Sequence, residues 1–155
     1  MREILFRAKA INRDPNREYR TKYKNGDWVY GLVESLPLLD KNGKKKYEND
    51  WAEMYDINGV NGIDVDYETI GQFTGLTDKN GKKIFEGDIV KFEDGCYYPS
   101  EDETYINIGR VVYCGNEFTI TNRETVQMDD LVDCNDLDCE VIGNIYDNPE
   151  LLGEK

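Results

Sequence analysis

Apolar and β-branched residues come along this chain in short runs, each cut off by glycine, asparagine, proline or a charged pair. The runs are Ile4 to Ala8, Trp28 to Val33, Glu53 to Ile57, Ile89 to Phe92, Arg110 to Tyr113, Phe118 to Thr121 and Val141 to Tyr146. Their length and their aromatic and β-branched content suit strands. In the run from Ile89, apolar Val90 and Phe92 alternate only imperfectly with Lys91 and Glu93, which predicts a strand covered on both faces or a tightly curved sheet. No window of a dozen residues keeps apolar positions at spacings of three and four without an interrupting glycine or proline. The pattern therefore predicts a mainly β fold with little helix: short twisted strands and hairpins forming a small barrel or barrel-like sheet, plus an amino-terminal β subdomain. Two helical turns are expected. One is at the carboxyl end, where Asn148 can cap and Pro149 takes the first helical position ahead of Glu150, Leu151 and Leu152. The other is a short turn around Met128 to Asp133.

Turn chemistry supports this reading. Asn-Gly occurs at Asn25-Gly26, Asn42-Gly43, Asn58-Gly59, Asn61-Gly62 and Asn80-Gly81, and the dipeptide suits the positive φ angles of tight hairpins. One segment is echoed: Asp40-Lys41-Asn42-Gly43-Lys44-Lys45 returns as Asp78-Lys79-Asn80-Gly81-Lys82-Lys83, with Leu38 matching Leu76 upstream. With no third copy read in the chain, the echo is taken as two independent hairpin tips whose lysines keep an exposed edge in water.

The second copy lies within Thr69-Ile-Gly-Gln-Phe-Thr-Gly-Leu-Thr-Asp-Lys-Asn-Gly-Lys-Lys-Ile-Phe-Glu-Gly-Asp-Ile-Val90. This stretch resembles the signature of the YopX family of phage and prophage proteins, as do Trp28-Val29-Tyr30-Gly31 and Glu140-Val-Ile-Gly-Asn-Ile-Tyr-Asp-Asn-Pro-Glu-Leu-Leu152. The resemblance implies a mainly β fold and a bacteriophage origin, and it carries no established activity. It suggests an amino-terminal β subdomain over 1–68 and a barrel-like subdomain over 69–155, or one integrated domain. Read physically, Gly71 and Gly75 flank Phe73 as at the corner of a curved sheet. Glu86-Gly87-Asp88 should form a turn in which the Asp side chain bonds backbone N–H groups before Ile89 and Val90 enter the core; this Gly-Asp-Ile-Val entry resembles the start of a strand in small SH3-like barrels, which implies an SH3-like barrel or barrel-like sheet and no function.

Composition removes several chemistries. The 155 residues contain no histidine, so Ser-His-Asp and Cys-His hydrolysis and every His-ligated metal centre are excluded. Cys96, Cys114, Cys134 and Cys139 include no CxxC pair and are expected as thiols, because spacings of 17, 19 and 4 residues do not make the two close pairs of a structural zinc site. Apolar runs such as Ser35 to Leu39 fall far short of a bilayer span, and the residues after Met1 form no secretory leader, so the expected compartment is the bacterial host's cytoplasm.

The net charge of −13 is unevenly spread. Residues 1–50 hold 12 basic and 8 acidic side chains, residues 51–155 hold 7 and 24. Asp129, Asp130, Asp133, Asp136, Asp138 and Glu140 invite a metal or nuclease hypothesis, but they lack the calcium-loop spacing and no Lys or Arg lies between Arg123 and Lys155. They are read as a solvated loop, as is Glu93 to Glu103 with Tyr97, Tyr98 and Pro99. The basic residues Arg2, Arg7, Lys9, Arg13, Arg17, Arg20, Lys22 and Lys24, interleaved with Phe6, Tyr19, Tyr23 and Trp28, could track a phosphate backbone, although the overall charge opposes it.

No catalytic, cofactor-binding or metal residue is assigned, no cofactor is expected, and the chain is not expected to be an enzyme. A non-enzymatic self-assembling or protein-binding module is the leading expectation, with a homo-oligomer or a host or phage protein as partner and no membrane. The alternatives are an acidic DNA mimic or inhibitor of a host protein, and nucleic-acid binding through the basic segment.

Overall fold

A computed structural model describes residues 3–11, 22–46, 51–94, 105–121, 129–130 and 139–153. They form two compact units, Met1–Gln72 and Phe73–Lys155, each built on antiparallel strands.

In the first unit the strands are β1 (Phe6–Lys9), β2 (Trp28–Ser35), β3 (Ala52–Asp56) and β4 (Ile63–Val65), joined at the end by the first residues of β5 (Gly71–Thr77). β2 lies between β1 and β3, β4 pairs with β3, and Gly71 and Gln72 pair with the other side of β1. Strand alternation sends every second side chain to one face. Ala8 stands opposite Val29, Ala52 opposite Val65 and Met54 opposite Ile63, and these six with Ala10 make the unit's buried core. A 3-10 turn over Tyr67–Thr69 follows β4. The Asp66 carboxylate accepts the Glu68 N–H at 3.1 Å, and Thr69 Oγ1 accepts the Lys9 N–H at 2.8 Å, fastening the turn to β1.

From Phe73 the chain enters the second unit. The rest of β5 pairs with β6 (Lys83–Phe85). The other strands are β7 (Asp88–Asp94), β8 (Tyr105–Cys114), β9 (Glu117–Thr121), β10 (Asp129–Asp130) and β11 (Glu140–Asn144), in the spatial order β10-β9-β8-β7-β11. Ile84, Val90, Phe92, Val111, Ile120, Cys139 and Val141 form the core, with Leu76 and Phe118 packed against it. Burying each such large side chain contributes about 1.5–3 kcal/mol. Ile89 is as fully buried as Val90, so this strand is covered on both faces, as its imperfect alternation predicts.

Strands dominate as expected, and the tips at Asn42-Gly43 and Asn80-Gly81 are hairpin turns. Of the two forms expected, barrel or sheet, the sheet is found: no barrel closes among the described residues, and the strands form antiparallel sheets. Some local expectations are corrected. Asp129 and Asp130 are not helical but pair with Ile120 and Thr119 of β9, and the rest of 128–133 lies outside the described residues. The carboxyl-terminal turn is present as a 3-10 turn over Pro149–Leu152 with Pro149 at its start, but the Asn148 side chain makes no capping bond. Of the two glycines beside Phe73, only Gly75 has a positive φ, within the irregular pairing of β5 with β6; Gly71 is ordinary strand opposite Arg7.

The turn before β7 forms as the sequence predicts: Asp88 Oδ2 accepts the Phe85 N–H at 2.8 Å, and Gly87 has φ +83°. Its N–H donates to Val111 O, its carbonyl accepts from Ile145, and a Cβ there would stand 3.4 Å from the Tyr146 ring. Gly87→Val should therefore destabilise the fold by about 1–3 kcal/mol in urea unfolding. Gly81→Ala, whose Cβ would meet open space at a similar φ, should cost only about 1 kcal/mol from backbone strain.

Candidate functional site

Three loops of this chain share one construction, although only two were visible as an echo. They run Asp40-Lys41-Asn42-Gly43-Lys44, Asp56-Ile57-Asn58-Gly59-Val60 and Asp78-Lys79-Asn80-Gly81-Lys82. In each, the Asp N–H donates to the carbonyl four residues on (2.7, 2.8 and 2.8 Å), and the Gly N–H donates back to the Asp carbonyl (3.1, 3.1 and 2.9 Å). One carboxylate oxygen, Oδ1, accepts the N–H two residues on at 2.8 Å in all three. The same oxygen also accepts the N–H four residues on, at 3.0, 2.9 and 2.9 Å. The glycine φ values are +78°, +90° and +77°, the left-handed region that glycine adopts without steric cost. Asp supplies the acceptor, Asn-Gly supplies the reversal, and the loop holds itself rigid.

The second oxygen, Oδ2, is left to reach beyond the loop. At Asp56, wholly buried, it accepts from Lys22 Nζ at 2.8 Å, Tyr23 Oη at 2.6 Å and Asn58 Nδ2 at 3.3 Å. At Asp78, also buried, it accepts the N–H of Val141 at 3.0 Å. Burial alone would raise both pKa values. The donors outweigh it, Lys22 and Tyr23 foremost at Asp56 and the N–H groups of Val141, Lys82 and Asn80 at Asp78, so both carboxyls titrate below the ordinary value of 3.8. The position after the Asp reaches out as well: the Ile57 N–H donates to Tyr30 O at 2.9 Å and the Lys79 N–H to Cys139 O at 2.9 Å.

The same contacts settle where the sequence-predicted candidates lie. Arg7 is buried with its guanidinium 4.6 Å from the Trp28 ring, and Lys9 is 5.4 Å from the same ring. Phe6 and Tyr23 pack against the first unit's core, and Lys22 is paired with Asp56. Arg7, Lys9, Lys22, Tyr23 and Trp28 are thus held by one another and by Asp56, while Arg2, Arg13, Arg17, Tyr19 and Arg20 lie outside the described residues. Of the acidic cluster, Glu140 pairs with Lys79 at 3.3 Å and Asp129 and Asp130 sit in β10; Asp133, Asp136 and Asp138 lie outside the described residues, as do 95–103. Cys114 is exposed, Cys139 is in the core and both carry thiols; Cys96 and Cys134 lie outside the described residues.

Two features escaped sequence reasoning. Leu32 and Tyr55, cross-strand partners on β2 and β3, are 49% and 43% exposed, with Ile57, Leu36 and Leu38 also exposed in the same unit. The other is the third loop, around Asp56. The signal for it was an Asp two residues before Asn-Gly, hidden because Ile57 and Val60 replace the lysines of the echo.

The YopX protein family model matches residues 51–153, more than half of the chain, and the chain belongs to that family. No curated protein matches it. Among solved structures it is similar to the crystal structure of protein EF1440 from Enterococcus faecalis, at 23% identity and a TM-score of 0.48 over 98% of this chain and 99% of that one.

Because Asp56 holds two segments together and Asp40 holds only its own loop, Asp56→Ala should destabilise by about 2–3 kcal/mol and Asp40→Ala by about 1 kcal/mol. The depressed pKa values of Asp56 and Asp78 fix the sign of the pH effect. Their extra stability is fully present above the ordinary value of 3.8 and is lost as pH falls below it through the folded-state values. Urea midpoints should drop on acidification below about pH 4, by less in Asp56→Ala than in wild type.

Proposed function

We propose that this YopX-family chain is a non-catalytic protein-binding module, phage- or prophage-borne and working in the host cytoplasm, that associates with its own copies. The observation that carries the reading is the exposed apolar pair Leu32 and Tyr55 on the open face of β2 and β3, with Ile57 at the strand end. Cross-strand apolar pairs of this kind normally face a core, and left in water they mark a surface that meets protein. Charge favours a second copy as the occupant: the first 50 residues hold 12 basic against 8 acidic side chains and the remainder 7 against 24, so opposite fields can be brought together between chains.

A catalytic reading has less to draw on. The chain lacks histidine, and among the described residues the two carboxyls with lowered pKa, Asp56 and Asp78, are occupied in fastening backbone and side chains. Nucleic-acid binding is disfavoured, among the described residues, by the internal use of Arg7, Lys9, Lys22 and Trp28. The acidity after residue 50 favours one second reading, a monomeric inhibitor that presents a DNA-like negative surface to a host protein.

Light scattering coupled to size exclusion at micromolar protein should give a multiple of 18.0 kDa. High salt should weaken its electrostatic part, screened beyond about 8 Å at physiological ionic strength, and leave the apolar part. The double variant Leu32→Glu, Tyr55→Ser should run as monomer. A monomer under every condition would overturn self-association and favour the acidic inhibitor.

A further inference from the structure

The three Asp-x-Asn-Gly loops are alike inside and unlike in what they hold. The Asp56 loop grips Lys22 and Tyr23 with Oδ2 and Tyr30 O with the Ile57 N–H. The Asp78 loop grips one short extended segment at three points. Oδ2 takes the Val141 N–H, the Lys79 N–H gives to Cys139 O, and the Lys79 ammonium pairs with Glu140 at 3.3 Å. Two residues before the Asp, each loop has an apolar side chain: Met54 is wholly buried and Leu76 packs against the core that contains Cys139 and Val141.

In the Asp40 loop the same groups are present and unused. Asp40 Oδ1 closes the loop, but among the described residues Oδ2, the Lys41 N–H and the Lys41 ammonium meet no protein partner. Leu38, the counterpart of Leu76, is 61% exposed. The loop's six residues, Asp40 to Lys45, repeat those of Asp78 to Lys83 letter for letter.

We infer that the Leu38–Lys45 hairpin is a docking site for an extended acidic polypeptide segment, bound as the Asp78 loop binds Cys139, Glu140 and Val141. The ligand is an extended backbone with an acidic residue between two apolar ones. The carbonyl before its acidic residue meets the Lys41 N–H, the N–H after that residue meets Asp40 Oδ2, its carboxylate meets the Lys41 ammonium, and its apolar side chains cover Leu38. Charge-assisted bonds at both ends of a self-rigidified loop give register as well as attraction, and no ordering of the loop opposes binding. The inference rests on the protein-binding reading above and does not require self-association.

The test is a titration of the ¹⁵N-labelled full chain with a synthetic peptide copying residues 137–143, its cysteine replaced by alanine. The expected result is saturable shifts at the Lys41 and Lys44 amides, and binding about tenfold weaker with a peptide carrying Glu140→Lys. Asp40→Asn keeps an oxygen to close the loop and turns the outer acceptor into a donor; Lys41→Glu alters an exposed side chain alone. Each should weaken the peptide about tenfold with an unchanged spectrum elsewhere. Silence at Lys41 up to about 1 mM peptide, equal binding to Asp40→Asn, or shifts confined to Lys79 and Val141 would each overturn the inference. A monomeric chain that binds the peptide loses self-association and keeps this site; an oligomer silent to the peptide does the reverse.

Discussion

A carboxylate has two oxygens, and the fold rests on dividing them. In each Asp-x-Asn-Gly loop one oxygen is committed to the loop's own N–H groups and the other to whatever lies beside it. A buried carboxylate without donors would be strongly destabilising and would take up a proton instead. Asp56 and Asp78 avoid this because donors surround them, the loop's own N–H groups at both, Lys22 and Tyr23 at Asp56 and the Val141 N–H at Asp78, so charge is kept inside. Such ties matter to the first unit, since three of its seven core residues are alanines and bury little area each. Asp56 joins the segment ahead of β2 to the β3–β4 connection, a tie that adds to the apolar face of the sheet.

How much of this was legible follows from what kind of signal each element carries. β2, β7, β9 and β11 are rich in aromatic and β-branched residues, and their positions could be read within a residue or two. β4 is Ile-Asp-Val, where buried Asp64 breaks the apolar run. β5, Gly-Gln-Phe-Thr-Gly-Leu-Thr, looks like a corner because two glycines lower its strand propensity; pairing with β1 and β6 outweighs that local preference. β10 is two aspartates, whose strand state comes only from lying beside β9. Tertiary partners decide all three, and local pattern does not contain them.

Side-chain roles were less legible than strands. Spacing shows that Arg7, Lys9, Lys22 and Trp28 are basic and aromatic neighbours, but only the pairing of Lys9 opposite Trp28 and the approach of Lys22 to Asp56 reveal that they satisfy one another. The echo of Asp40 and Asp78 was visible because the lysines repeat. What the loops share physically is the Asp, the Asn and the Gly, and searching on those three alone would have found Asp56.

The loops also set an order in time. Each closes within five residues, so its reversal can form in about the microseconds of hairpin formation and requires little loss of chain entropy. The pairing of Phe6 with Gln72 and of Arg7 with Gly71 must instead bring together residues from opposite ends of the first unit. Contacts so distant in sequence raise the contact order and slow the search. Folding of that unit should begin at its self-closing reversals and finish when β1 is captured between β2 and β5, leaving the edge of β1 the last to be protected on a newly made chain.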